Sequence, residues 1–387
     1  MVRVRAPLIA AVGILAGCPP TEGPLLLPHQ PREVDATEAE PTPPEPWLEA
    51  EPPEGALGDD DDDDDAVAPA EPHSRWLDLT ITHADYDPHL DRVVAVGSEP
   101  PRLYALGPEE IDREEVDLPL PPTAVRVDPR GGSAVVGHDG WITIVNLESV
   151  RVEASFAIPV SVSDLAVDNA GWTHAVPECC QWTRLVSVDT STGEYGQHEG
   201  VRPIRAGARV AWTEDSALYL AENLAPSVMR RFDTTNGVAS FDYDWPQEPG
   251  FSAGGRLWLA NDGTRIFAAT GQVFRASDDP GVDFEYSADL STGEIVSATS
   301  EPTSGRVLVI DQANVMHLFN DSFLANLGEV ALPAFTIQVD AESETFAARP
   351  MLVFSGSDGV RVLVRTPRGS GVLNDWGLSV LPWESLE

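Results

Sequence analysis

Residues 124–149 read AVRVDPRGGSAVVGHDGWITIVNLES. The stretch alternates apolar strand-like runs with turns rich in Asp, Gly and Pro. It reads as strand, Asp turn, strand, turn, strand, turn. The same order returns at Asp164 (DLAVDNAGWTHAVPECCQWTRLVSVDTSTG) and upstream at His83 (HADYDPHLDRVVAVGSEPPRLYALGP). It continues from Arg209, Leu257, Ser297 and Ile337. The turn acids are Asp87, Asp128, Asp168, Asp215, Asp262, Glu301 and Asp340, spaced by 41, 40, 47, 47, 39 and 39 residues. Short strands at a period of about 40–50 residues point to an all-β fold, a β-propeller. One such unit cannot bury both of its faces, whereas units stacked in a ring can. Seven units fill residues 75–387, so a seven-bladed propeller is expected there. The segment Arg75–Ile81 is a spare strand, expected to pair with the C-terminal runs Val360–Arg365 and Gly377–Pro382 and so close the ring.

Upstream of the repeats the composition changes. Residues 19–74 hold 13 prolines and 17 acidic residues against a single arginine, Arg32. Asp59–Asp65 is an unbroken run of seven aspartates. So little apolar surface cannot offset the entropy of ordering, and residues 18–74 read as a disordered tether. The aspartate run reads as solvated charge, since a calcium site needs ligands gathered around one point. Trp47 reads as an isolated aromatic of the linker.

The first 17 residues start with Arg3 and Arg5 and continue as an uncharged, mostly apolar run from Ala6 to Gly17. The run is too short for a bilayer, which takes about 20 residues, and has the form of a secretory signal peptide. It ends in Leu15-Ala16-Gly17-Cys18. This LAGC resembles the lipobox of bacterial lipoproteins. The resemblance implies cleavage before Cys18 and lipid attachment to Cys18. Position 19 is Pro rather than the Asp that retains such proteins in the inner membrane of enteric bacteria, which implies the outer membrane of the cell envelope. The membrane contact expected is therefore an N-terminal lipid anchor.

The third-strand stretches TRLVSVDTSTGE (183–194), SVMRRFDTTNG (227–237) and VMHLFNDS (315–322) resemble the V-x-x-D-x-x-T-G/N blades of YVTN-type and quinoprotein-like propellers. A Gly-His pair at Gly137 is similar to WD repeats, without their closing Trp-Asp. Quinoprotein dehydrogenases would need A-x-D-x-x-T-G-x-x-x-W. Here VSVDTSTGEYGQ has the Asp and Thr-Gly but no closing Trp, so no cofactor is expected.

The chain carries a formal charge of −39, and all of its basic residues are arginine. The lack of lysine removes Schiff-base chemistry and phosphate binding through a P-loop lysine. The acidity opposes nucleic-acid binding. No G-x-S-x-G or H-E-x-x-H occurs. His83, His89, His138, His174, His198 and His317 show no ligand spacing, and no metal set is expected. Carboxylates abound, but their pairing for glycoside hydrolysis cannot be read from the chain. Trp141, Trp172, Trp212 and Trp258 are expected to pack between blades. No catalytic residue is assigned. The expected role is a non-catalytic binding or scaffold module with a protein partner on the propeller loops; the alternative is a quinoprotein-like dehydrogenase or another propeller enzyme such as a glycoside hydrolase.

Cys179 and Cys180 are the only other cysteines. With Cys18 lipidated and the domain outside the reducing cytosol, they are left with each other. The readings are a vicinal disulfide acting as a rigid turn, two thiols, or a metal or redox pair. The first is preferred, and its tiny loop would add little stability.

Overall fold

The computed structural model describes residues 71–386 apart from 110–112, 201, 223–227, 247–250, 302 and 340–341. The signal peptide, Cys18, Trp47, the aspartate run and the turn acid Asp340 lie outside the described residues. Among the described residues the fold is an all-β propeller, with one short 3-10 helix at Trp383–Leu386. No helix there is long and apolar enough to cross a membrane. Each sheet grades from buried to exposed. The second strand Arg92–Ser98 (RVVAVGS) is covered on both faces and reads as a continuous apolar run. The fourth strand Arg113–Asp117 (REEVD) is the outer edge and is mostly exposed. Its charges oppose pairing with another chain.

Counted as hydrogen-bonded sheets of four or more strands, the propeller has six blades, not the seven expected. Five are four-stranded and one is six-stranded. The reason is continuity of the chain. The repeats starting at Ala124 and Asp164 share the 17-residue strand Arg151–Val167, which merges them into one sheet. Its first part pairs with Ser133–Asn146 and its last part with Trp172–Pro177.

This wide sheet is bent double. The 14-residue strand Ser133–Asn146 turns back on itself, because Leu147 N–H donates to Gly132 O at 2.9 Å. A straight strand would hold those residues roughly 50 Å apart. The reversal falls at Asp139-Gly140, where Gly140 takes φ +74°. Asp-Gly is the favoured pair for a two-residue hairpin. Side chains on one face of the sheet then meet each other: Val135, Ile142 and Ile144 share a core with Leu165, Val167, Val186 and Val188. Six further clusters fill the gaps between neighbouring sheets.

The ring closes by joining distant parts of the chain. Strand His73–Trp76 pairs antiparallel with Trp376–Pro382, from His73↔Val380 to Trp76↔Gly377. It completes the sheet formed with Gly359–Arg365 and Arg349–Ser355. The partner of the closing strand is the one anticipated, but of the expected segment Arg75–Ile81 only Arg75 and Trp76 belong to the strand, which begins two residues earlier. The last repeat is misplaced in the sequence reading. The stretch expected to start it at Ile337 is part of a separate two-stranded hairpin, Phe335–Val339 with Glu342–Phe346. The last sheet begins at Arg349 and turns at Gly356, whose N–H donates to Gly359 O at 2.7 Å.

Candidate functional site

The first strands of the repeats surround a central cavity of about 800 Å³, to which seven chain segments contribute. Successive side chains of a strand face opposite ways, so residues two and four positions before each turn point the same way. Four residues before the turns at Asp87, Asp168, Thr213 and Ala260 stand His83, Asp164, Arg209 and Arg256, and all four line the cavity. Two residues nearer the turns, the lining includes Asp85, Arg126, Trp258, Thr299 and Phe354. Charged groups crowd the wall built by residues 83–256, and Leu352, Phe354 and Trp258 present apolar surface.

Asp164 organises the charged wall. Its side chain is 1% exposed. One carboxylate oxygen faces Arg126 at 3.2 Å and Arg209 at 4.0 Å. The other accepts Val210 N–H at 3.1 Å. Arg209 also donates to Ser163 O at 2.9 Å. Asp85 accepts Val127 N–H at 2.8 Å, and Val125 N–H points at His83 Nδ1 at 3.4 Å. These contacts satisfy backbone donors on the inner edge strands, which have no further strand to pair with. Burial, and secondly Arg126, push the His83 imidazole from 6.5 down to about 3, so it is neutral. Burial also pushes the Asp85 carboxyl up, against the opposing pull of Arg126. The Arg256 guanidinium is exposed to the cavity and makes no hydrogen bond or ion pair among the described residues.

A second constellation has the residue types of a hydrolytic triad. His174 lies between Ser187 Oγ, 3.0 Å from Nδ1, and Asp168 Oδ2, 3.4 Å from Nε2. All three are sealed: Ser187 and His174 are 0% exposed and Asp168 is 1% exposed. Ser187 Oγ also accepts Ala239 N–H from the neighbouring sheet at 3.0 Å. No substrate reaches this serine, and its role is to staple strands. His317 and Asp311, 3.2 Å apart, repeat the Asp-x5-His spacing elsewhere in the ring.

The remaining histidines are also local ties: His138 meets Thr143 Oγ1 at 2.9 Å, and His198 Nδ1 accepts Leu185 N–H at 2.9 Å. Among the described residues no three His, Cys, Asp or Glu side chains gather as a metal site. Cys179 and Cys180 are exposed on the turn between Trp172–Pro177 and Trp182–Thr183, away from the cavity lining. Their sulfurs are 2.8 Å apart, and Cys180 holds φ +82°. The tryptophans divide. Trp172 packs against the next sheet as expected, since a Cβ on Gly237 would lie 2.3 Å from its ring. Trp212 and Trp258 do both: each packs against a core cluster shared by two neighbouring sheets and also lines the cavity, whereas Trp141 is 41% exposed. The cavity charges were missed in the sequence, though their signal is there: His83, Asp164, Arg209 and Arg256 each stand four residues before a turn. The chain matches no protein-family model and no curated protein.

Proposed function

We propose that this chain is a lipid-anchored, non-catalytic binding propeller of the bacterial cell envelope, similar to YVTN-type propellers. In this reading residues 1–17 are removed, Cys18 carries the lipid, and the chain from there to the closing strand at His73 holds the propeller away from an outer-membrane surface. The double sheet acts as two blades, which gives seven sectors around the axis. The protein partner docks on the loops, and the cavity is the ligand pocket of the disc.

The observation that carries the binding reading is the cavity. Its volume is in the range of ligand pockets, and its wall combines apolar surface with a few convergent polar groups. Its chemistry supports binding over turnover. The Asp164 carboxylate is committed to two arginines and a backbone N–H. The hydroxyls of Ser297 and Thr299 are engaged with Val353 N and Ser355 Oγ.

Full-length protein tests both halves of the proposal. Labelled palmitate enters the wild type and not Cys18→Ala, and the variant leaves the membrane fraction; equal labelling of the two overturns the anchor. Purified protein supplied with pyrroloquinoline quinone, Ca²⁺ and a dye acceptor oxidises no alcohol. Turnover there overturns the non-catalytic reading in favour of a dehydrogenase.

A further inference from the structure

We propose that the central cavity binds a small organic carboxylate with an apolar body, held at its charged end by Arg256 and Arg209. The proposal rests on the reading of the cavity as a ligand pocket and names the chemistry of its occupant.

The domain containing the cavity is acidic: from residue 75 onward 46 acidic residues face 21 arginines. Most of those arginines are spent on surface and inter-strand carboxylates. The cavity runs against this trend, with Arg126, Arg209 and Arg256 converging on its wall. Two of them share one carboxylate, that of Asp164, which has no further oxygen to give. Arg256 has no anionic partner among the described residues. Asp85 lies on the same wall, but burial disfavours its charge and its Oδ2 already accepts a backbone N–H. His83 is neutral. The other acid of the lining, Glu214, lies beyond the turn end of its strand. That is five residues from Arg209, or about 16 Å along the strand. The end of the cavity where the inner strands begin therefore carries an uncompensated positive charge.

Guanidinium groups in such a place select carboxylate or phosphate, because their donors match two oxygens at once. The rest of the wall selects between these. Trp258, two residues along the chain from Arg256, and Leu352 and Phe354 from the last sheet offer apolar and aromatic surface in the same cavity. A bare phosphate leaves this surface wet, whereas an organic acid covers it. Burial of an apolar body of modest size adds roughly 25 cal/mol per Å².

The test uses 4-fluorobenzoate as probe, observed by fluorine NMR, with 4-fluorobenzylamine and inorganic phosphate as comparators, on the full chain. The wild type broadens the fluorobenzoate line at millimolar concentration or below, and leaves the amine sharp. Arg256→Gln weakens binding at least tenfold, and Arg368→Gln, at an exposed site off the cavity, leaves it unchanged. The Arg256 guanidinium makes no hydrogen bond or ion pair among the described residues, so Arg256→Gln keeps the wild-type melting midpoint and reports the site rather than the fold. Equal affinity in Arg256→Gln, equal binding of the amine, or tighter binding of phosphate than of fluorobenzoate overturns the inference. So does the lack of any binding at 10-fold the millimolar range. A chain that binds no fluorobenzoate yet still docks a protein on its loops fails this inference alone and leaves the proposed function standing.

Discussion

The six-stranded sheet and the closing sheet join neighbouring parts of the ring by opposite means. In the first, one unbroken strand, Arg151–Val167, carries the chain from one repeat to the next. In the second, His73 meets Val380 across more than three hundred residues. The entropy of closing a loop grows with the logarithm of its length, by about 0.6 kcal/mol for each doubling. The closing contact therefore starts about 2–3 kcal/mol behind the contacts of the merged sheet, whose partners are tens of residues apart. The merged sheet can assemble early from local hairpins, and the closing strand is expected to dock last. Damage to the two should differ in kind: loss of the closing strand opens the whole ring, whereas a lesion in the merged sheet stays local.

Removing residues 73–76 from the full chain tests this most severely. Strand Trp376–Pro382, buried along its whole length, becomes an unpaired edge. The melting midpoint is expected to fall by on the order of 10 °C, with aggregation above it. An unchanged midpoint breaks the comparison.

Asp164→Ala comes next, at about 3 kcal/mol in urea unfolding. It leaves Arg126 and Arg209 facing each other and Val210 N–H without an acceptor. Were it to exceed the loss of the closing strand, the ranking of the two sheets would be reversed.

His198 gives the merged sheet a pH dependence. It is 1% exposed, and burial pushes its imidazole from 6.5 down to about 4. Below pH 6.5 the unfolded chain takes up a proton that the folded chain refuses. The stability is therefore complete above that pH and is lost as the pH falls toward 4. Between pH 7 and pH 5 the contribution is about 2 kcal/mol. His198→Asn should flatten that part of the stability profile by this amount, and an identical slope in wild type and variant refutes the assignment.

Gly140→Ala isolates the hairpin. A Cβ there meets only Ile158 O at 3.8 Å, so the penalty is that of the φ +74° backbone, about 1 kcal/mol. Gly140→Asn should recover much of it, because Asn tolerates this region. Equal losses for Ala and Asn would point to packing instead.

The smallest effect concerns Cys179 and Cys180, which we propose form a vicinal disulfide in the exported protein. Replacing both with Ser should move the melting midpoint by less than about 1 °C, since the loop enclosed is minimal. Two alkyl groups added to this pair without reductant, seen in the intact mass, exclude the bond.

The parts of this fold that could be read from sequence are those where local chemistry decides. The Asp turns of the repeats from Ala124 and Asp164 hold because a carboxylate caps nearby backbone donors, as Asp168 does for Ala170 and Trp172. The D-x-S/T turns work alike: Asp189 accepts Ser191 N–H at 2.8 Å, and Asp233 accepts Thr235 N–H at 2.9 Å. Where the turn is made by other means, the reading slips. The last sheet turns at Gly356 with no Asp at its start, so the Asp-turn pattern points to an earlier acid and misplaces the repeat. The merger of two repeats was hidden because the breaker in Arg151–Val167, Pro159, marks the end of a strand as readily as a bend in one that continues. The Asp139-Gly140 pair is a legible hairpin signal, and it stands inside the Gly137-His138 run that is similar to a WD repeat. The cavity charges required knowing which positions of each first strand face inward, and that follows only once the turns are placed.

The closing strand also has a mechanical meaning. Any force drawn along the chain upstream of His73 enters the propeller through this strand. It is resisted by four residue pairs with Trp376–Pro382 and by Ser74 Oγ, which lies 2.6 Å from Ser379 Oγ and donates to Pro333 O at 2.9 Å. Arg75 of the same strand donates to Gly107 O at 2.6 Å, which passes part of the load to the neighbouring sheet. Tension would therefore unlatch the ring at a single seam, leaving the bent double sheet on the far side of the sequence to yield afterwards.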